Sequence, residues 1–337
     1  MRVTVIGAGV AGLACALELA ERGVSVEVLE RGARLGAAGC SWYAGGMLAP
    51  WCELESSGPL IAQLGAESIP WWQERFPGTV VNGTLVVAHG RDAPEVAQFA
   101  GRTGHFERVG AEAIAALEPD LAGRFSHGLY FAEEAHLDPR AALAALAARL
   151  GELGTPVRFG VEVSSALVGR RHVIDCTGLG ARRELADLRG VKGEMLLLRL
   201  GELSLARPVR LLHPRIPVYV VPRAEGLFMV GATMIESDED TRISARSMLE
   251  LLSAAYALHP AFGEAEIAEI GTGVRAAFPD NLPRLRRRDG ALYVNGLYRH
   301  GFLIAPALAR RAAAVLLEGR HFPELMNNED PPQRRLA

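Results

Sequence analysis

The chain has 337 residues, 49% of them hydrophobic and 22% charged, which excludes a disordered chain and suits either two domains or one elaborate α/β unit. The formal net charge is −3, with scattered arginines and Lys192 as the only lysine, so no basic tract supports binding to nucleic acid or an anionic membrane. Cys15, Cys40, Cys52 and Cys176 form no C-x-x-C pair, no stretch of about 18 apolar residues runs free of charge or glycine, and the expectation is a reducing, cytoplasmic protein with no metal site and no membrane span.

The first forty residues carry the clearest signal. RVTVI (2–6) is a short apolar, β-branched run; G-A-G-V-A-G follows, and LACALELAERG then has helical periodicity up to Gly23. Strand, glycine turn and helix in that order predict a dinucleotide cradle: Gly7 for the tight turn, Gly9 for close approach of backbone to a pyrophosphate, and Gly12 for contact between helix and strand. The next strand, VSVEVLE (24–30), ends in Glu30, roughly twenty residues on, where an acid binds ribose hydroxyls and disfavours a 2′-phosphate. The motif leaves NAD and FAD both open.

Beyond it, 32–53 is too rich in small residues for a plain helix. HLDPRAALAALAARLGELG (136–154) predicts a helix with Asp138 as N-cap and Pro139 at its first position, followed by a strand over 155–163. HVIDCTGLGAR (172–182) reads as a buried strand entering a turn of small residues. EMLLLRL, PVYVVPR and GLFMVGATM, between 190 and 234, read as strands. Closing the last two with Pro222 opposite Leu227 sets Tyr219 against Val230, with Met234 on the same face. Arg275 follows the apolar run IGTGV, and Arg299 stands in GLYRHG before a helix expected to begin near Pro306. Arginines beside buried apolar segments call for an anion, and a planar guanidinium matches a carboxylate with two parallel bonds.

The segments AGGMLAP, VKGEM, VPRAEGLFMVGATM and GLYRHGFLIAPALA, in this order, resemble the D-amino-acid oxidase superfamily of flavoproteins, and within it the glycine oxidases of the thiamine pathway. Trp42 and Tyr43, where the family more often has small residues, and Ala276, where proline is common, depart from the pattern at positions that bear on the pocket entrance. The resemblance implies an α/β fold in which a Rossmann-type FAD domain (1–80, 136–190 and 272–337) is interleaved with a mostly antiparallel-sheet substrate domain (81–135 and 191–271).

It also implies roles. FAD, held without a covalent bond, would touch Arg31, Gly45, Gly46 and Met47 beside the cradle, the backbone of Val163 near the adenine, and the Thr177–Gly178 turn. The main chain of His300, Gly301, Phe302, Leu303 and Ile304 would loop around the pyrimidine end of the flavin. Arg299 would be the main clamp on the substrate carboxylate, with Tyr219 hydrogen-bonded to it and Arg275 secondary. Met234 would wall the pocket, and Ala49 would leave room for a compact ligand.

The activity so implied is oxidation of glycine or a similarly small amino acid to an imine and glyoxylate, with dioxygen reduced to hydrogen peroxide, in a homo-oligomer. Three alternatives stay open: an oxidase or dehydrogenase of sarcosine or D-amino acids, a flavoprotein that modifies a partner protein, and a flavin-binding scaffold without turnover.

Overall fold

The computed structural model describes residues 1–163, 172–239 and 242–326. Positions 164–171 and 327–337, which belong to the expected cofactor segments, lie outside the described residues, as do 240–241.

Among the described residues two large sheets, beside a small three-stranded one, organise the fold. In the first, Arg2–Ile6 lies between Ser25–Glu30 and Val173–Asp175, all parallel. Val157–Phe159 and Ala291–Asn295 extend the parallel set on either side, and Arg284–Arg288 closes one edge antiparallel, giving six strands. The strand expected over 155–163 is shorter than its run, and the segment 172–182 forms a short strand, Val173–Asp175, before its turn. The central strand is fully covered at Val3 and Val5, as a parallel sheet with helices on its faces requires.

The helix Val10–Glu21 packs against Pro139–Glu152 and Gly301–Leu317, burying Leu13, Leu17, Leu143, Leu146 and Leu308 in one core. On the other face of the sheet Ile6, Val173, Leu185, Phe278 and Tyr293 form a second core. Gly23, at φ +75, ends the first helix, with Gly23 and Val24 N–H groups donating to the Ala20 and Leu19 carbonyls, a turn that a Cβ would strain. Asp138 caps Pro139–Glu152 by accepting from the Arg140 and Ala141 N–H groups at 2.8 and 3.1 Å.

The second sheet has nine strands and is mostly antiparallel. Arg189–Arg199 is its spine: it pairs along its length with Glu266–Ala277 and on its other side with Leu227–Gly231. Val218–Pro222, Val209–Leu212, Thr84–Ala88, His127–Phe131 and Glu107–Gly110 continue the sheet, in which Val209–Leu212 and Thr84–Ala88 form a parallel pair. The two long strands cross the expected boundaries at 190/191 and 271/272. We propose that the two units divide there but share continuous backbone.

Two expectations are corrected. The hairpin pairs Tyr219 with Gly231 and Pro222 with Phe228, one residue away from the expected register. The cause is the turn: Arg223 N–H donates to Leu227 C=O at 2.7 Å, so the connection is three residues, 224–226, and Glu225 and Gly226 take positive φ. A three-residue loop closes that ladder one step further than a four-residue one.

The last long helix begins at Gly301, not near Pro306, so 301–304 is its first turn and not a loop. A proline in that interior deprives the Phe302 carbonyl of its helical donor, and the buried Trp72 indole N–H fills the place at 2.8 Å. Among the described residues no helix is long and apolar enough to cross a membrane.

Candidate active site

At the carboxyl end of Arg2–Ile6 the backbone turns through Gly7 at φ +97. A Cβ on Gly7 would lie 2.8 Å from the Cys176 carbonyl oxygen, and one on Gly12 would lie 1.8 Å from the Gly7 carbonyl oxygen, so strand, turn and helix meet at distances only glycine permits. Gly9 is the helix N-cap. Glu30 reaches back along the sheet: its carboxylate accepts from Ala8 N–H and Gly32 N–H, each at 2.7 Å. Gly9, Glu30, Gly36, Trp42 and neighbours line a small cavity here, and Arg31 is exposed beside it. Thr177 follows the adjacent strand, with its N–H and hydroxyl donating to Asp175 at 3.0 and 2.7 Å, and its Cα stands close to Gly7. Gly178 has φ +57. Val163 is half-buried against the second core of this sheet and lines neither cavity.

A larger cavity opens where the two sheets meet. Gly45, Gly46, Met47, Ala49, Tyr219, Arg275, Arg299, His300, Gly301, Phe302 and Leu303 all line it, so residues from four separate segments expected in one site converge. Ile304, one residue further along the helix, is fully buried in the core. The first intrahelical bond of Gly301–Leu317 runs from Ile304 N–H to His300 C=O, leaving the N–H groups of Gly301, Phe302 and Leu303 without helical acceptors and with the positive end of the dipole at the cavity. Gly45 and Gly46 are required by protein packing: a Cβ on Gly45 would meet the Tyr219 ring at 2.8 Å, and one on Gly46 the Leu137 carbonyl oxygen at 2.1 Å. Arg223, buried, donates to the Gly45 carbonyl at 2.6 Å and lies 3.6 Å from the helix-capping Asp138; burial pushes its guanidinium down to about 10.

The two arginines differ in their partners. Arg299 is already partnered, with a nitrogen 2.7 Å from Glu53 and donating to Ser56 at 2.6 Å. Arg275 touches the main-chain carbonyls of Thr233 and Lys192, at 3.1 and 3.5 Å, and has no carboxylate partner among the described residues. A guanidinium whose charge is already met is the poorer trap for a second anion, and Glu53 meets the charge of Arg299.

Met234 does not line the cavity: it lies past the strand end at Gly231, 54% exposed, with its sulfur 3.3 Å from the Tyr298 hydroxyl and 3.7 Å from Arg299. The register shift puts Gly231 opposite Tyr219 instead, and a Cβ there would come 3.2 Å from the Tyr219 hydroxyl.

The electrostatics follow from burial and neighbours. Burial alone would raise Glu53, but Arg299, His300 and Arg210 outweigh it and hold the carboxyl at about 2. His300, with Nδ1 3.4 Å from Glu53, is held down to about 4 by burial and is neutral at physiological pH. Burial raises the Tyr219 phenol, so its hydroxyl stays a donor. Glu134, behind the cavity, accepts from Cys52 N–H at 2.7 Å, and burial lifts it to about 7.

Tyr43, expected at the pocket entrance, lines the cavity, and so do Glu53, Arg210, Tyr298 and Ser41, which sequence did not single out. Arg210 carried a signal: it interrupts the apolar strand VRLL and pairs directly across from Tyr219.

A glycine cradle at the end of a parallel sheet, joined to a cavity under an antiparallel sheet, defines a dinucleotide-dependent oxidoreductase. The chain belongs to the DAO family of FAD-dependent oxidoreductases, whose sequence pattern matches residues 2–315. It is 55% identical, over 96% of its length and 99% of the relative's, to a Rhizobium etli protein provisionally named thiamine biosynthesis oxidoreductase ThiO. A Nostoc bifunctional protein ThiO/ThiG is 28% identical over 96% of this chain, which spans 54% of that relative. The crystal structure of glycine oxidase from Geobacillus kaustophilus matches with a TM-score of 0.79 and 25% identity, covering 95% of this chain and 96% of that one.

The site fits FAD on its own features. Gly7 and Gly12 let strand, turn and helix close up where a Cβ would strike backbone, which sets the N-terminus of Val10–Glu21 at the end of the sheet as a phosphate-binding turn requires, and the second helix N-terminus presents unused donors suited to an electron-rich ring edge.

Proposed function

We propose that this chain is an FAD-dependent oxidase of glycine or a similarly small amino acid, releasing hydrogen peroxide and an imine that hydrolyses to glyoxylate and ammonia. Its 55% identity to a protein provisionally named ThiO supports a place in supplying the thiazole of thiamine. One observation carries the reading: Arg275, with no carboxylate partner among the described residues, shares a cavity with Tyr219 and with the N-terminus of Gly301–Leu317.

FAD held by these residues would supply the hydride acceptor for the substrate α-carbon, with dioxygen as the terminal oxidant. In the protein's share of this chemistry, Arg275 takes the substrate carboxylate through two charge-assisted bonds and the protonated Tyr219 donates a third, which together orient the α-carbon. Arg299, tied to Glu53, sets the charge of the neighbouring wall. Neutral His300 is unable to compete with the amine for a proton. Ala49 leaves room for a compact ligand. The cradle of Gly7, Gly9 and Gly12 with Glu30 would hold the nucleotide, and the N–H groups at the start of Gly301–Leu317 would favour negative charge on the pyrimidine edge. No step asks for a protein base if the amine binds neutral.

Aerobic incubation of the purified yellow protein with glycine tests this. Equimolar peroxide, glyoxylate and ammonia are expected; no peroxide with glycine, sarcosine or D-alanine would remove the oxidase assignment.

A further inference from the structure

The two cavities are separated by one turn. Cys40–Tyr43 is a short 3-10 segment whose residues face different ways: Trp42 lines the nucleotide cavity, Cys40 and Tyr43 line the larger one, and among the described residues Ser41 alone lines both. Its hydroxyl accepts from Val10 N–H at 3.2 Å, so the turn lies directly on the N-terminus of the cradle helix. A dinucleotide held at the cradle and reaching into the larger cavity would pass Ser41.

This turn is fastened from outside. Arg140, at the start of Pro139–Glu152, donates through Nε to the Trp42 carbonyl at 3.2 Å, and its guanidinium lies 4.9 Å from the centre of the Trp42 ring and 6.0 Å from that of Tyr43. The same guanidinium grips Glu269 with two bonds, of 2.8 and 2.6 Å. Glu269 belongs to Glu266–Ala277, the long strand of the other sheet. On the inner side Trp42 fills the space that Gly36 leaves open, and Tyr43 fills that of Gly271, where a Cβ would meet the rings at 2.2 and 2.5 Å. One arginine thus joins the cofactor sheet's helix, the turn and the substrate sheet, and the turn cannot lift without parting from it.

We propose that the turn Cys40–Tyr43, pinned by the Arg140–Glu269 ion pair, is a strap across the middle of bound FAD that sets how slowly the cofactor leaves. Arg140 and Glu269 are positioning residues: they act through the turn. The inference rests on FAD binding alone, so its failure would leave the assignment of the amine untouched.

The test is FAD release from diluted holoenzyme, followed by flavin fluorescence, with the melting temperature of each apoprotein measured alongside. Glu269→Gln, at a half-exposed site, is expected to release FAD about tenfold faster, the loss of a bidentate charge-assisted contact. Arg140→Ala, which also frees the Trp42 ring, is expected to release it faster still, and Arg140→Lys to fall between wild type and Arg140→Ala. Apoprotein melting should stay at the wild-type temperature in Glu269→Gln. Release rates within about twofold of wild type in both Glu269→Gln and Arg140→Ala would overturn the strap. So would faster release in Glu269→Gln accompanied by a fall in its apoprotein melting temperature, which would make the pair a general brace.

Discussion

Arg299 and Glu53 form an ion pair at 2.7 Å inside the cavity. The pair separates the two arginines chemically: among the described residues Arg299 has a carboxylate partner, and Arg275 is held by carbonyl oxygens.

Arg275→Ala is therefore expected to raise KM for glycine by about ten- to a hundredfold, the value of a charge-assisted contact of about 1.5–3 kcal/mol. Arg299→Ala is expected to raise it less, because what it removes first is the partner of Glu53. Steady-state kinetics of both variants decide the point, and a larger effect at Arg299 would restore it as the principal clamp.

Gly45→Ala tests the placing of Tyr219. The new methyl would stand 2.8 Å from the ring and must displace the tyrosine, so kcat/KM for glycine is expected to fall by about tenfold, a loss of about 1.4 kcal/mol of transition-state stabilisation, while flavin absorbance shows the cofactor retained. Wild-type kcat/KM in this variant would mean that the Tyr219 hydroxyl does not orient the substrate.

These elements differ in how far sequence reveals them. Gly7, Gly9, Gly12 and Glu30 were legible because their chemistry is local: one strand, one turn and one helix fix all four. The start of the last helix was misjudged because Pro306 reads as a boundary, whereas Trp72 supplies the donor that lets the helix run through it. The Tyr219 register hung on one residue in a turn. The pairing of Arg299 with Glu53 was hidden, because the fold brings Glu53 from a distant helix and no local pattern connects it to either arginine.

Gly12→Ala should abolish the cradle, since its Cβ would lie 1.8 Å from the Gly7 carbonyl oxygen and helix and strand would have to part. A colourless protein, or one binding FAD far more weakly in a flavin titration, is expected. Undiminished FAD affinity would contradict the cradle's geometry.

Glu134 gives a pH signature in stability. Burial keeps it protonated in the folded protein up to about 7, above the ordinary carboxylate range, so the folded state holds the extra proton. Stability from this group is fully present below that ordinary range and is lost as pH rises through about 7, by about 1.4 kcal/mol per pH unit within the window. Glu134→Gln keeps the neutral form throughout. Its melting temperature is expected to fall less than the wild type's between pH 5 and pH 8, and parallel curves for the two proteins would contradict the buried neutral acid.

Anaerobic titration of the purified holoenzyme with glycine, beside sarcosine and D-alanine, tests the central claim without reference to oxygen or to any later step. Loss of the oxidised-flavin absorbance on adding glycine, with Arg275→Ala needing far more of it, is the predicted result. Flavin that stays fully oxidised with all three amines would contradict a site built to bring a small amino acid to the cofactor.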